Sequence, residues 1–341
     1  MDNAKIEWYR TPVHKVLMKE LTKKDDWKGL AQAGSFLALW LALVASAVWF
    51  FLNQLWIPMV VACYLSSVVQ NFLGMAAGVH ELSHGTMFKT KPINEFFYHL
   101  FCWLTWNNPV HFRASHGLHH QLTVFKDPDK EVVQGPVKEK LNLWTLVMWF
   151  TFDAEQFWSW MSRTVLHAFG KADADYFFWN PLFEKGDKRR GQMIGWARFA
   201  LITHLILLGV FLFFHLWILI YLINFGVFFA SWYAKFCGAL QHTGLGESTP
   251  DWRLVCHTFT HGPVTRYLYW NMNFHIEHHM YAAVPNYNLA KLHKAVAYDM
   301  PPPQKSLWSG LKFLLGIKKI QKTDPGYVFV PAVPVPAARK G

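Results

Sequence analysis

Two stretches of this chain carry no charge. From Gly29 to Val79 there are 51 residues without an Asp, Glu, Lys or Arg, and from Phe199 to Ala234 there are 36. A run of about 18 such residues is long enough to cross a bilayer as a helix. At 1.5 Å per residue the first run would make one helix of about 76 Å, against a hydrocarbon core of about 30 Å. It must therefore turn, and Asn53-Gln54 with Pro58 supply the turn. This predicts helices near 34–53 and 57–79. The second run makes about 54 Å, slightly short for two crossings. Its apolar character continues from Met193 to Leu240, with Arg198 and Lys235 placed to snorkel to the interface. Helices near 194–213 and 217–240 follow. The predicted fold is an all-α integral membrane protein with four transmembrane helices in two hairpins.

Composition agrees. Only 16% of the residues are charged, against about 25% in an average soluble domain. The net charge of +11 does not mark a nucleic-acid binder, because the basic residues lie wholly outside the two uncharged runs. Lys and Arg number 7 in the first 33 residues, 13 in 80–195 and 11 after residue 237, and the turns between paired helices hold none. By the positive-inside rule both termini and the central loop 80–193 face the cytoplasm. The expected organisation is a cytoplasmic segment 1–33, a membrane domain 34–295 and a partly disordered tail 296–341, Pro- and Val-rich from Pro325.

Within the central loop, 95–106 is apolar but too short to span and reads as re-entrant or interfacial. The Trp-rich segment 142–168 reads as one amphipathic helix lying in the interface. Together they predict a helical cap on the cytoplasmic side. Cys63, Cys102, Cys237 and Cys256 form no CxxC pair, which favours a reducing compartment. Residues 1–29 are too polar for a signal peptide, so the first apolar run is expected to stay in the mature protein.

Eighteen histidines are present, and three groups stand out: His80-Glu-Leu-Ser-His84, His116-Gly-Leu-His119-His120 and His275-Ile-Glu-His278-His279. Positions i, i+3 and i+4 share one helix face, so each group presents two or three imidazoles in one direction. A random chain with this histidine content yields about 0.05 HxxHH matches, yet two occur. In the four-helix reading all three groups fall on the cytoplasmic side and can converge. His242, at the cytoplasmic end of the fourth helix, is a ninth candidate ligand. Nine imidazoles exceed one ion's coordination number and suit two metals. Neutral imidazole serves Zn, Cu, Fe and Ni, while structural zinc usually takes Cys, so redox iron is the better expectation.

HELSH, HGLHH and HIEHH, in that order and separated by helix pairs, resemble the three histidine boxes of the membrane-bound fatty acid desaturase and hydroxylase superfamily. NMNFHIEHHMYAAVPNYNLAKLH is especially similar to bacterial acyl-lipid desaturases. The resemblance covers roughly 30–295. It implies a di-iron centre, use of O2 with two external electrons, and oxidation of an unactivated C–H bond in an acyl chain. It also implies that His80, His84, His116, His119, His120, His242, His275, His278 and His279 are the ligands, and it favours a bacterial inner membrane over the endoplasmic reticulum. Gly238 stands where some members place an Asn that holds a metal-bound water, with Gln241 or Asn273 as the nearest substitutes. The chain shows no flavin, haem or nicotinamide motif, so the electrons are expected from a ferredoxin or a cytochrome b5 with its reductase. Hydroxylation of a lipid, carotenoid or small acyl-like substrate shares every identified residue. A His-rich metal transporter is a third reading, disfavoured because transporters place ligands near the bilayer midplane.

The remaining histidines are expected to be structural: His257 and His261 before the third box, His111 before the second, His204 and His215 in or between apolar helices, and His14, His99, His167 and His293 without a role. Glu81, Glu277, Asp127, Asp129 and Asp251 are candidates to orient ligand imidazoles. The clusters Lys188-Arg189-Arg190 and Lys318-Lys319 are expected to meet anionic lipid or an acidic electron carrier. Tags at residue 1, near residue 150 and at residue 341 should all report the cytoplasmic side. An external signal at residue 341 would mean that the third and fourth helices form one crossing.

Overall fold

The computed structural model describes residues 6–125, 129, 131, 142–172 and 182–334. Among these the regular structure is helical, and extended segments meet only at three isolated bridges. In chain order the helices used below are α1 Asp26–Leu52, α2 Trp56–Leu73, α3 Gly78–Ser83, α4 Lys91–Leu104 and α5 Pro109–Leu122. They continue with α6 Leu143–Phe150, α7 Ala154–Ala168, α8 Lys188–Phe213, α9 Trp217–Phe228 and α10 Trp232–His242. The last are α11 His275–Met280, α12 Asn286–Val296 and α13 Leu307–Gln321. Contacts divide the chain into two compact units.

The first unit, Asp26–Ser115 with Leu141–Phe236, holds the apolar helices. The turn expected at Asn53-Gln54 is present, and Gln54 takes the left-handed conformation (φ 57°) that closes it. Pro58 sits in the first turn of α2, where its missing N–H costs nothing. Among the described residues three helices are long and apolar enough to cross a membrane: α1, Trp56–Ser83 and α8. Their outer faces are open; Ile57, Val60, Val61, Phe199, Ile202, Leu205 and Ile206 are all exposed. Such a surface suits lipid rather than water.

Two buried amides near the end of α2 donate inward to backbone carbonyls. Gln70 Nε2 donates to the Leu104 carbonyl at 2.9 Å, and Asn71 Nδ2 donates to the carbonyls of Ser67 and Phe229, each at 2.9 Å. α2 ends at Leu73, and the chain bends at once into α3. A Cβ on Gly78 would stand 2.6 Å from the Leu73 carbonyl oxygen, so only glycine permits that bend. His204 of α8 is clamped between Trp103 and Trp106, with ring centroids 4.6 and 3.9 Å away. The segment expected to be interfacial, 95–106, forms α4, and Phe97, Tyr98, Phe101, Cys102 and Leu104 are buried.

Two predicted helices are broken. The helix expected at 217–240 is α9 and α10, separated at Phe229–Ser231, and the helix expected at 142–168 is α6 and α7, separated at Thr151–Asp153. The two breaks pair with each other. Ala230 N–H donates to Thr151 O at 2.9 Å and Asp153 N–H to Phe228 O at 2.7 Å. Asp153 is fully buried. Its carboxylate caps α7 through the Gln156 N–H and accepts from Ser231 Oγ at 2.6 Å. Lys235 Nζ meets it at 2.6 Å. Lys235 is therefore an ion-pair partner rather than a snorkelling side chain. Arg198 likewise turns inward, its Nε donating to Ala168 O at 2.8 Å.

The second unit, Met1–Asp25 with His116–Lys140 and Cys237–Gly341, holds most of the histidines. An N-terminal strap lies on it: Trp8 stacks on Trp252 at 4.4 Å, and the Arg253 guanidinium lies 3.8 Å over the Tyr9 ring. Thr11 and Tyr9 hydroxyls donate to the Asp299 carboxylate at 2.6 and 2.7 Å. Where the sequence suggested no structure beyond Pro325, Phe329 N–H donates to Gly244 O at 2.7 Å and its ring packs edge-on to Phe313.

Replacing Asp153 by Ala removes a helix cap and leaves the Lys235 ammonium without its carboxylate. The expected loss is about 2–4 kcal/mol, discounted for the partial exposure of Lys235. Thermal unfolding of the detergent-solubilised protein checks this, and Asp153→Asn, which keeps the cap, should recover part of it. An unchanged midpoint for the Ala variant would remove this knot as a stabilising element.

Candidate metal centre

The second and third boxes are helical, as their spacing requires: HGLHH ends α5 and HIEHHM is α11. Side chains 275, 278 and 279 share one face of α11, and 116, 119 and 120 one face of α5. His242 is the last residue of α10. Within the second unit these elements bring His119, His242, His275 and His279 together, with one ring nitrogen of each within 4.8 Å of the others. All four are buried. His116, His120 and His278 of the same unit form a further cluster, each offering a ring nitrogen within the same limit. His120 lies beside both, its ring centroid 4.8 Å from that of His278 and 4.2 Å from that of His279. His80 and His84, the first box, belong to the other unit, on and just after α3, with ring centroids 5.7 Å apart.

Hydrogen bonds settle which nitrogens face inward. His242 Nδ1 donates to Val255 O at 2.8 Å. The Thr123 hydroxyl donates to His119 O at 2.6 Å, so its oxygen is left to accept from His279 Nδ1 at 3.2 Å. In these neutral rings the proton is on Nδ1, and Nε2 presents a lone pair. His275 Nε2 lies 3.0 Å from both of those Nε2 atoms. One proton on His275 could satisfy one of the two lone pairs and not the other. A shared cation satisfies all three. Bonds of about 2.1 Å at a right angle would put donor atoms about 3.0 Å apart, which matches the spacing seen. The residues therefore fit a metal ion. Their all-nitrogen set suits Fe, Zn, Cu or Ni.

Electrostatics favour the ligating forms. Burial, with the nearby His119 adding to it, pushes the His242 imidazole down to about 3, so the ring is neutral. Burial also pushes the His279 imidazole well below its ordinary value, reinforced by its histidine neighbours. His119 differs. Burial would lower it, but the Asp129 carboxylate, 3.0 Å from its Nδ1, outweighs burial and raises it. Asp129 is held down to about 2: burial works against this, and His119 and two backbone N–H groups overcome it. Those N–H groups belong to Val124 and Glu131, at 2.7 and 2.9 Å, and they fix the carboxylate in place. A carboxylate behind a ligand imidazole sets ring orientation and raises basicity toward a metal. Glu131 stands in the same relation to His116, 3.1 Å from its Nδ1.

Of the carboxylates singled out from sequence, Asp129 takes the expected place. Glu277 does not. It lies about 200° around α11 from His275, so it points away from the imidazoles. It accepts from the Thr258 hydroxyl and meets His293 Nδ1, each at 2.6 Å. His293, given no role by the sequence, is thus the brace of the third box. Asp251 caps the short helix Trp252–Val255 and pairs with Arg253 at 2.7 Å, while Glu81 accepts from Thr86 at 3.2 Å. Asp127 lies outside the described residues. Gln241 donates to the Tyr269 hydroxyl and Asn273 to Phe259 O. Sequence reasoning missed Glu131 as well; its signal was the acidic stretch just after the second box.

His257 and His261 are buried and pushed down to about 4 by that burial. His257 contacts Thr243 O at 3.3 Å and His261 stacks on Phe259. Neither is grouped with the clustered imidazoles.

The family model described as Fatty acid desaturase matches residues 54–310, three quarters of the chain and all nine candidate histidines. A search of curated proteins gives no match.

Asp129→Asn should weaken metal binding by about 10–100-fold, measured by metal content after dialysis against a graded chelator. Asp187→Asn, which disturbs only the cap of α8 and the pair with Arg189 in the other unit, should leave metal content unchanged. Equal retention in both variants would deny Asp129 its orienting part.

Proposed function

Because the chain belongs to the fatty acid desaturase family, we propose that it is a desaturase placing a double bond in the acyl chain of a lipid, with two iron ions held by nine histidines. The buried tetrad of His119, His242, His275 and His279 carries this reading. By the family resemblance the other five, His80, His84, His116, His120 and His278, are assigned as the remaining ligands. Bound iron would supply the O2-dependent oxidation of an unactivated C–H bond. The overall balance is one CH2–CH2 unit, one O2, two electrons and two protons giving CH=CH and two waters.

The chain's own residues bind, orient and exclude water. Asp129 and Glu131 hold the outer nitrogens of His119 and His116; the Val255 carbonyl and the Thr123 hydroxyl hold those of His242 and His279. Rings fixed in this way cannot turn to meet a proton instead. Burial of the tetrad keeps bulk water from the oxidising centre. The electrons come from a separate ferredoxin or cytochrome b5 with its reductase. In the membrane, α1, α2 and α8 make three crossings. α9, about 18 Å long, is too short to cross alone, and the start of α10 completes the fourth. Both termini and 80–193 then face the cytoplasm of a bacterial inner membrane, and the cap helices carry the boxes there.

Expression in a heterologous host followed by mass spectrometry of its fatty acids is the test. An acyl chain lighter by two hydrogens should appear with the native chain and vanish with His279→Ala. The purified protein should hold close to two irons per chain and stay inactive with NADPH and O2 until carrier and reductase are added. A product heavier by one oxygen, labelled from 18O2, would make it a hydroxylase. Stoichiometric zinc without iron, in protein made under iron-replete conditions, would overturn the redox reading.

A further inference from the structure

Helix α13 has an outward face that the proposed chemistry does not use. Its inner face is packed: Gly310, Leu314 and Ile317 are buried, and a Cβ on Gly310 would stand 3.0 Å from Leu240. Gly244, in the left-handed conformation (φ 81°), leaves no room for a Cβ against Ile317. The helix thus lies on the segment just before and just after His242.

Outside, Trp308, Lys312, Leu315, Lys319 and Lys322 are exposed. They follow one another at intervals of four, three, four and three, which is a single stripe along a helix. Lys305, just before the N-cap Ser306, is also exposed. Trp308 is 64% and Leu315 51% exposed. Between Met300 and Thr323 there is no Asp or Glu. Lys312 Nζ rests 5.4 Å from the Trp308 ring centroid, so the cation and the indole lie side by side on the outer face.

A helix facing water would mix charge signs and hide such side chains. This stripe instead alternates lysine with a large apolar group. That is what a layer of phosphates above an apolar interior accommodates: the ammonium groups meet phosphate while Trp308 and Leu315 reach below it. An acidic soluble protein would answer the lysines alone. A chain with three helices fit to cross a bilayer also keeps a lipid surface permanently at hand. We propose that the outward stripe of α13 binds the anionic surface of the membrane in which the chain sits. This does not depend on the metal or on the reaction.

The test uses the full chain in lipid nanodiscs with a nitroxide on Leu315→Cys. The four native cysteines are buried, so labelling is selective. In phosphatidylcholine with phosphatidylglycerol added, the label's exposure to dissolved O2 relative to a water-soluble nickel relaxant should rise about fivefold over phosphatidylcholine alone. Lys312→Glu, Lys319→Glu and Lys322→Glu together should abolish the rise, and the corresponding Arg replacements should keep it. The same exposure in both lipids, or a rise that survives charge reversal, overturns the proposal. So does protection of the label only on adding an acidic ferredoxin, whatever the lipid, since the face would then be a carrier dock.

Discussion

Several imidazoles share a dry pocket at low cost when rings are neutral or braced by a carboxylate, outer nitrogens are tied, and inner lone pairs have a common object. Those three demands shape the histidine-bearing unit. Leaving one buried polar nitrogen unanswered costs about 1–3 kcal/mol, and the tetrad would otherwise leave several. The Val255 carbonyl, the Thr123 hydroxyl and the Asp129 carboxylate answer the outer nitrogens of His242, His279 and His119. The inner side is left for a cation. The N-terminal strap, the Arg253–Asp299 pair and the His293–Glu277 contact keep the segments carrying these groups in register.

The same accounting governs the apolar unit, with lipid in place of a dry pocket. Polar side chains in a bilayer must be satisfied from within the protein. Ser67 therefore meets the Tyr221 hydroxyl, and Gln70, Asn71, His204 and Asn224 point at backbone or at one another. Asp153 is the extreme case. A fully buried carboxylate is tolerable because a helix N-terminus, a serine and a lysine converge on it.

The histidine boxes and the long helices were legible because their signals are local: the HxxHH spacing follows from 3.6 residues per turn, and uncharged length needs no partner to be recognised. The turn at Asn53-Gln54 was legible for the same reason. What escaped was long-range. The breaks at Thr151–Asp153 and Phe229–Ser231 arise because two segments 78 residues apart supply each other's hydrogen bonds, and nothing within either segment announces it. Lys235 looked like a rim charge because its counter-ion lies far back in the sequence. Glu131 and His293 were missed because each is 15 or 16 residues from its partner. Glu277 was misplaced because adjacency to a ligand in sequence means the opposite side of a short helix.

The tetrad draws its members from positions 119, 242, 275 and 279, and α13 packs beside His242. A ribosome must therefore pass residue 279 before the last of the four rings is available. Until then the earlier imidazoles stand in no finished cage. Closure of the histidine cage then follows synthesis of every candidate crossing, and an insertion machinery that released the chain before residue 279 would leave a membrane-inserted protein whose cage had never closed.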